Sequence, residues 1–178
     1  TRASGAAAGR ARARARPAPR AARADERRRV GPVSRARRYN AAITACEKGG
    51  QFLRAMSLLD EMKSLNVSMP DLISYNAAIA ACEADAHWRQ ALALLDEMQD
   101  RGIVPDVISC SAAISACEKA AQWRPALTVL NVMRDRGVEP NVISYSAALS
   151  ACGKAAQGKV ALALLRATPA EGLRPAPI

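Results

Sequence analysis

The chain repeats itself four times, and that limits its fold before any other property is weighed. Tyr39 opens the run YNAAITACEKGGQFLRAMSLLDEM and Tyr75 opens YNAAIAACEADAHWRQALALLDEM. Cys110 opens CSAAISACEKAAQWRPALTVLNVM and Tyr145 opens YSAALSACGKAAQGKVALALLRAT. The starts lie 36, 35 and 35 residues apart, and Pro70, Pro105, Pro140 and Pro175 recur at intervals of 35. The extra residue of the first unit therefore falls between Met62 and Pro70, within Val67–Met69. A unit this short cannot bury its own apolar face, whereas stacked copies cover one another.

Each unit reads as two helices. Tyr75, Ala78, Ile79 and Cys82 recur at i, i+3, i+4 and i+7, which is one face of a helix. Ser74, Ser109 and Ser144 stand just ahead of that face as expected N-caps. A second helix repeats the pattern with Trp88, Ala91, Leu92, Leu95 and Met98, and again with Trp123, Ala126, Leu127, Leu130 and Met133. Pro125 falls in a first turn, where a missing N–H does little harm. Gly102, Gly137 and Gly172 are expected to end the second helices in the left-handed conformation, with Asn66 in the same place in the first unit. The last unit is degraded: Gly158 replaces the aromatic, Thr168 replaces the Met, and Pro169 should stop its helix. The expected fold is all-α, a right-handed solenoid of about eight helices, with repeats at 36–71, 72–106, 107–141 and 142–176.

Charge divides the chain unevenly. Over residues 1–38 there are 13 Arg against Asp25 and Glu26, a net of +11, although the whole chain carries only +10. The remaining 13 basic and 14 acidic side chains leave the repeats close to neutral. The overall pI is thus a property of the tail and says nothing of what the repeats bind. Residues 1–35 read as a disordered Arg/Ala-rich tail. Many Arg and few acids fit an organellar transit peptide. Scarce Ser and the alternation of Arg10, Arg12, Arg14 and Arg16, which forms no helical face, fit a basic arm that holds phosphates, or a plain linker.

Cys46, Cys82, Cys117 and Cys152 follow the same period as the repeat. Disulfide frameworks and zinc sites bring Cys or His together in short pairs, and the only His is His87. These four Cys are expected to be small core residues of a reducing compartment. No apolar run is long enough to span a membrane. No phosphate-cradling Gly loop, metal-ligand cluster or nucleophile–base grouping is present, so neither an enzyme nor a cofactor or small-molecule substrate is expected.

The unit VISYNAAI…ACEK…W..AL.LLDEM…G..PD resembles the pentatricopeptide repeat over about residues 36–176. A tetratricopeptide repeat has a period of 34 and a Trp-Leu-Gly-Tyr pattern that is absent here. The repeats are richer in Ala and Cys than the usual family pattern. The resemblance implies a reader of single-stranded RNA, one base per repeat. Base identity would depend on the second residue of each first helix together with the residue after the Pro. Those pairs are Asn40 with Asp71, Asn76 with Asp106, Ser111 with Asn141, and Ser146 with Ala176. The first three imply the readout U-U-A, 5′ to 3′; the fourth implies no base. Ile73, Ile108 and Ile143 would clamp base faces, with Arg37 in the first unit. Lys48, Lys119 and Lys154 would face phosphate, with Ala84 in the second. The resemblance also implies a chloroplast or mitochondrion, and a role in RNA processing, stability or translation.

Two other readings stand beside this. Asn near a helix start and Asp after Pro are ordinary capping and turn residues. A near-neutral helical array also suits a scaffold whose partners are other proteins, since RNA binders usually show a basic stripe. Three readable pairs would specify a site recurring about once per 64 nucleotides.

Overall fold

The computed structural model describes residues 32–64 and 69–167. They form eight helices: α1 (Pro32–Lys48), α2 (Phe52–Ser64), α3 (Leu72–Ala84), α4 (Trp88–Asp100), α5 (Val107–Lys119), α6 (Trp123–Asp135), α7 (Val142–Lys154) and α8 (Gly158–Ala167). No strand occurs among the described residues. All eight helices belong to one of two compact units, Pro32–Ile178. Thr1–Gly31, and with it most of the basic tail, lies outside the described residues, as do Asn66, Thr168, Pro169, Gly172 and Ala176. Helix α1 begins at Pro32, about one turn ahead of the position that matches Leu72 and Val107 in the next units.

The starts of the first helices also differ from expectation. Ser74, Ser109 and Ser144 are not N-caps. Asp71, Asp106 and Asn141 are, and each accepts a hydrogen bond from the backbone N–H of the serine three residues on. Ser74 and Ser109 return the contact by accepting from the cap's own backbone N–H, which completes a capping box. A sequence of the form Asp-x-x-Ser offers two capping residues, and the reciprocal arrangement satisfies two orphan N–H groups where a serine cap would satisfy one. The helices therefore start three residues earlier, and Asn76 and Ser111 sit in their second turns rather than in second position.

The odd-numbered helices stack directly on one another, and α2, α4 and α6 each pack between their own partner and the first helix of the next unit, while α8 packs on α7. The backbones of the even-numbered helices do not pack on each other; long side chains bridge them, such as Lys63 to Glu97 at 2.8 Å and Arg136, just after α6, to Gln99 at 2.6 Å. Small residues permit the close stacking: Ala77, Ala78, Ala81, Ala113, Ala116, Ala147, Ala148 and Ala151 are all buried. The second helices bury one face, Ala91, Leu94, Leu95 and Met98 in α4, and Ala126, Val129, Leu130 and Met133 in α6. That face is turned slightly from the expected one, which leaves Trp88, Leu92, Trp123 and Leu127 at its edge. In α8 no residue is buried, in keeping with its degraded sequence.

Both turns of the unit use the left-handed region. Gly102 and Gly137 have φ of 73° and 71°, as expected. The turn inside each hairpin repeats the device with Gly50 (φ 62°) in the first unit but Ala86, Ala121 and Ala156 (φ 57°, 54° and 55°) in the others. At each of these turns the next residue donates back across the helix end, as His87 N–H does to the Cys82 carbonyl at 2.9 Å.

Candidate functional site

The first helices of the second, third and fourth units are buried on all sides but one. In α3 the uncovered strip is Ile73, Asn76, Ala80 and Glu83; in α5 it is Ile108, Ser115 and Glu118 around the buried Ser111; in α7 it is Ile143, Ser146, Ser150 and Gly153. These spacings of three and four mark one helix face. Stacking the helices sets the strips side by side, so the array carries a continuous polar surface edged at one end by isoleucines. Ile73, Ile108 and Ile143 are 60%, 64% and 59% exposed, an unusual state for three isoleucines at matching places. Arg37 is likewise exposed in α1.

The residues paired by sequence reasoning meet across the junctions between units. Asn40 Nδ2 donates to both carboxylate oxygens of Asp71, at 3.0 and 3.1 Å. Asn76 Nδ2 does the same with Asp106, at 3.2 Å to each oxygen. Ser111 Oγ donates to Asn141 Oδ1 at 3.5 Å. In each case the partner is the cap of the following helix, so one carboxylate or amide both holds that helix start and faces the preceding strip. Burial would raise the Asp71 carboxyl, but the Ser74 N–H and hydroxyl and the Asn40 amide outweigh it and hold it below the ordinary carboxylate range. It is therefore an anion and an acceptor at neutral pH. Ser146 donates within its helix to the Ile143 carbonyl at 3.0 Å, and its sequence partner Ala176 is outside the described residues.

Sequence reasoning missed two members of this surface. The first is the buried serine, Ser74, Ser109 or Ser144, beneath each pair. The second is an acid at one end of the strip. Lys119 Nζ lies 3.2 Å from Glu83, and Lys154 Nζ lies 3.1 Å from Glu118, so both lysines are ion-paired to the preceding unit. Ser150 also donates to Glu118 at 2.7 Å. Burial would raise the Glu118 carboxyl; the bonds from Ser150 and Lys154 hold it below its ordinary range instead. Lys48 is exposed. The periodic Lys and Glu are each visible in the sequence, but their pairing spans 36 residues and needs the stacking to be known.

All five thiols are free, and Cys82, Cys117 and Cys152 are fully buried; Cys46 is partly so. Burial pushes the Cys82 and Cys117 thiols up to about 12, so they remain protonated. Cys110 stands where the other units have Tyr, and a cavity of about 600 Å³ opens beside it between α4 and α6. Tyr75, at the matching position of the second unit, is fully buried and donates to Glu97 at 3.1 Å. No group of three or more His, Cys, Asp or Glu that could hold a metal ion is found among the described residues. No described helix is long and apolar enough to cross a membrane.

Two family models match the chain: the PPR repeat at residues 39–67 and 73–103, and the pentatricopeptide repeat domain at residues 93–155. Comparison with curated proteins gives no match. Among solved structures, the chain is similar to the pentatricopeptide repeat protein PPR10 in complex with an 18-nt psaJ RNA element, with 29% identity and a TM-score of 0.67 over 79% of this chain and 20% of that one. It is similar to the pentatricopeptide repeat protein PPR10 from maize at 25% identity and a TM-score of 0.58, over 87% of this chain and 22% of that one. The fold is also shared with the PPR domain of Arabidopsis thaliana protein-only RNase P 1 in complex with tRNA, at 15% identity and a TM-score of 0.50, over 70% of this chain and 84% of that one. The chain thus spans only about a fifth of the PPR10 structures it matches.

Proposed function

The chain belongs to the pentatricopeptide repeat family, and from that premise we propose that its helical array binds single-stranded RNA, reading one base at each junction between units. The observation that carries this reading is the pairing of Asn40 with Asp71 and of Asn76 with Asp106, on a strip otherwise edged by exposed isoleucines. A carboxylate accepts the one N–H of a uracil edge, and an amide nitrogen donates to its carbonyl. Ser111 with Asn141 offers a hydroxyl and an amide, which suit adenine. The proposed readout is U-U-A. Ile73, Ile108 and Ile143 would press on base faces. PPR10, whose repeats this chain resembles, has been solved with an 18-nt RNA element. Lys48, Lys119 and Lys154 would hold phosphates, the latter two by turning from their glutamates. The proposed setting is a chloroplast or mitochondrion, with a part in RNA processing, stability or translation and no catalytic step by this segment.

A second reading, a scaffold for other proteins, draws on the acids of the strip. Glu47, Glu83 and Glu118 face the same way, and the second unit has Ala84 where a lysine would offset Glu47. Fluorescence anisotropy separates the two readings. The full chain is titrated at near-physiological salt into a short labelled RNA containing UUA and into one with those bases changed. The UUA strand should bind more tightly, and Asn76→Ser with Asp106→Asn should move the preference at the second base from U to A. Equal binding to both strands would favour the scaffold, with the basic tail supplying charge alone.

A further inference from the structure

Beneath each junction lies a serine with no access to solvent: Ser74, Ser109 and Ser144 are all 0% exposed. We propose that this serine is the positioning residue for base choice: its hydroxyl decides which end of the recognition amide faces the strip, and hence whether the junction offers a base a donor or an acceptor. The proposal rests on the RNA-binding reading above.

The geometry at the first junction is the clearest. Ser74 Oγ lies 2.6 Å from Asn40 Oδ1 and 2.8 Å from Asp71 Oδ1, and it accepts from the Asp71 backbone N–H at 3.2 Å. A hydroxyl has one proton, so it serves Asn40 or Asp71 but not both. Asp71 already accepts from the Ser74 N–H at 2.9 Å and from Asn40 Nδ2. The shorter contact is to the Asn40 carbonyl oxygen, and Asn40 is itself buried, so water is poorly placed to replace the serine. With Oδ1 tied down to the serine, Nδ2 must point to the carboxylate and the strip. Turning the amide over would set Oδ1 against the Asp71 carboxylate, a repulsion between acceptors. The second junction repeats the arrangement, with Ser109 donating to Asn76 Oδ1 and lying 2.8 Å from Asp106 Oδ1.

The third junction uses the same serine on different side chains. Ser144 Oγ is 2.7 Å from Ser111 Oγ and 3.0 Å from Asn141 Oδ1, and Ser144 N–H donates to that same oxygen at 2.9 Å. The Asn141 carbonyl is thereby turned inward and its amide nitrogen outward. One buried hydroxyl at a constant place thus orients an Asn from the preceding helix in two junctions and an Asn cap in the third. In each it leaves N–H donors toward the strip. A uracil carbonyl accepts such a donor; the amino group of cytosine, itself a donor, does not.

The test uses the full chain, Ser109→Ala and Ser109→Thr, titrated with RNAs carrying U or C at the second base of UUA. Ser109→Ala should lower the preference for U over C at that base by about fivefold, the effect of one hydrogen bond. The preference at the first base should stay as it was, and Ser109→Thr, which keeps the hydroxyl, should restore the second. Weaker binding to both strands with an unchanged ratio would mean the serine only completes the capping box of its helix, and would overturn the proposal. A measurement without RNA stands apart from the binding reading. The side-chain amide protons of Asn76, followed by NMR, should exchange with water at least about tenfold faster in Ser109→Ala, while those of Asn40 do not change. Should the unaltered chain show no base preference, the RNA reading falls and this exchange rate decides alone; an unaltered rate for Asn76 would overturn the positioning role.

Discussion

The first and second helices of a middle unit are equally long, 13 residues each in α3 and α4, yet they are held in opposite ways. The first helix is surrounded, touches its counterparts directly, and is built from Ala, Ser and Cys. The second has one buried face of Leu and Met, and its backbone does not pack against its counterparts. The first layer depends on closeness and the second on volume. The same kind of substitution should therefore have opposite consequences in the two.

The largest effect is expected where volume is removed from the second layer. Met98→Ala, at a fully buried site of α4, should cost about 2–5 kcal/mol in denaturant unfolding, whereas Leu53→Ala in α2, at a site 80% exposed, should be close to neutral. Adding volume to the first layer comes next. Ala113→Leu in α5 forces apart helices that rely on small side chains and should cost about 1–3 kcal/mol; a neutral result would mean that the stacking tolerates more space than its composition suggests. The turn between the layers offers a gain. Ala121 sits at φ 54° where the first unit has Gly50 at 62°, so Ala121→Gly should stabilise the array by about 1 kcal/mol.

The smallest effect sharpens what the polar strip contributes. The Asp71 carboxyl titrates below its unfolded value, so its contribution is present above the unfolded pKa and is lost as pH falls through the folded one. Asp71→Asn keeps a capping oxygen, as Asn141 does at the third junction, but removes this titration. Melting temperature plotted against pH should fall less steeply on the acid side in the variant, with little difference at neutral pH.

The hairpins, the stacking and the burial of Tyr75, Ile79, Cys82 and their counterparts were legible because the repeat states each of them several times over. The side chains that the resemblance pairs lie within hydrogen-bond distance across the three described junctions. Other features were hidden for definite physical reasons. A serine three residues after an aspartate can cap or be capped, and only the reciprocal bonds decide. The left-handed alanines carry no sign in their own units; Gly50, at the same place in the first, was the available hint. The pairing of Lys119 with Glu83 and of Lys154 with Glu118 depends on which helices adjoin, which local spacing does not contain.

The sharing of each cap between one helix and the strip of the helix before it has a consequence for counting and for cutting. Each proposed letter is shared by two neighbouring units, as a fence panel hangs between two posts. Four first helices make three junctions, and a hairpin moved alone into another array would carry half of one letter and half of the next. If the pairs read bases, a transplant should be cut just after each cap, as at 72–106, so that Asn76 and Asp106 travel together.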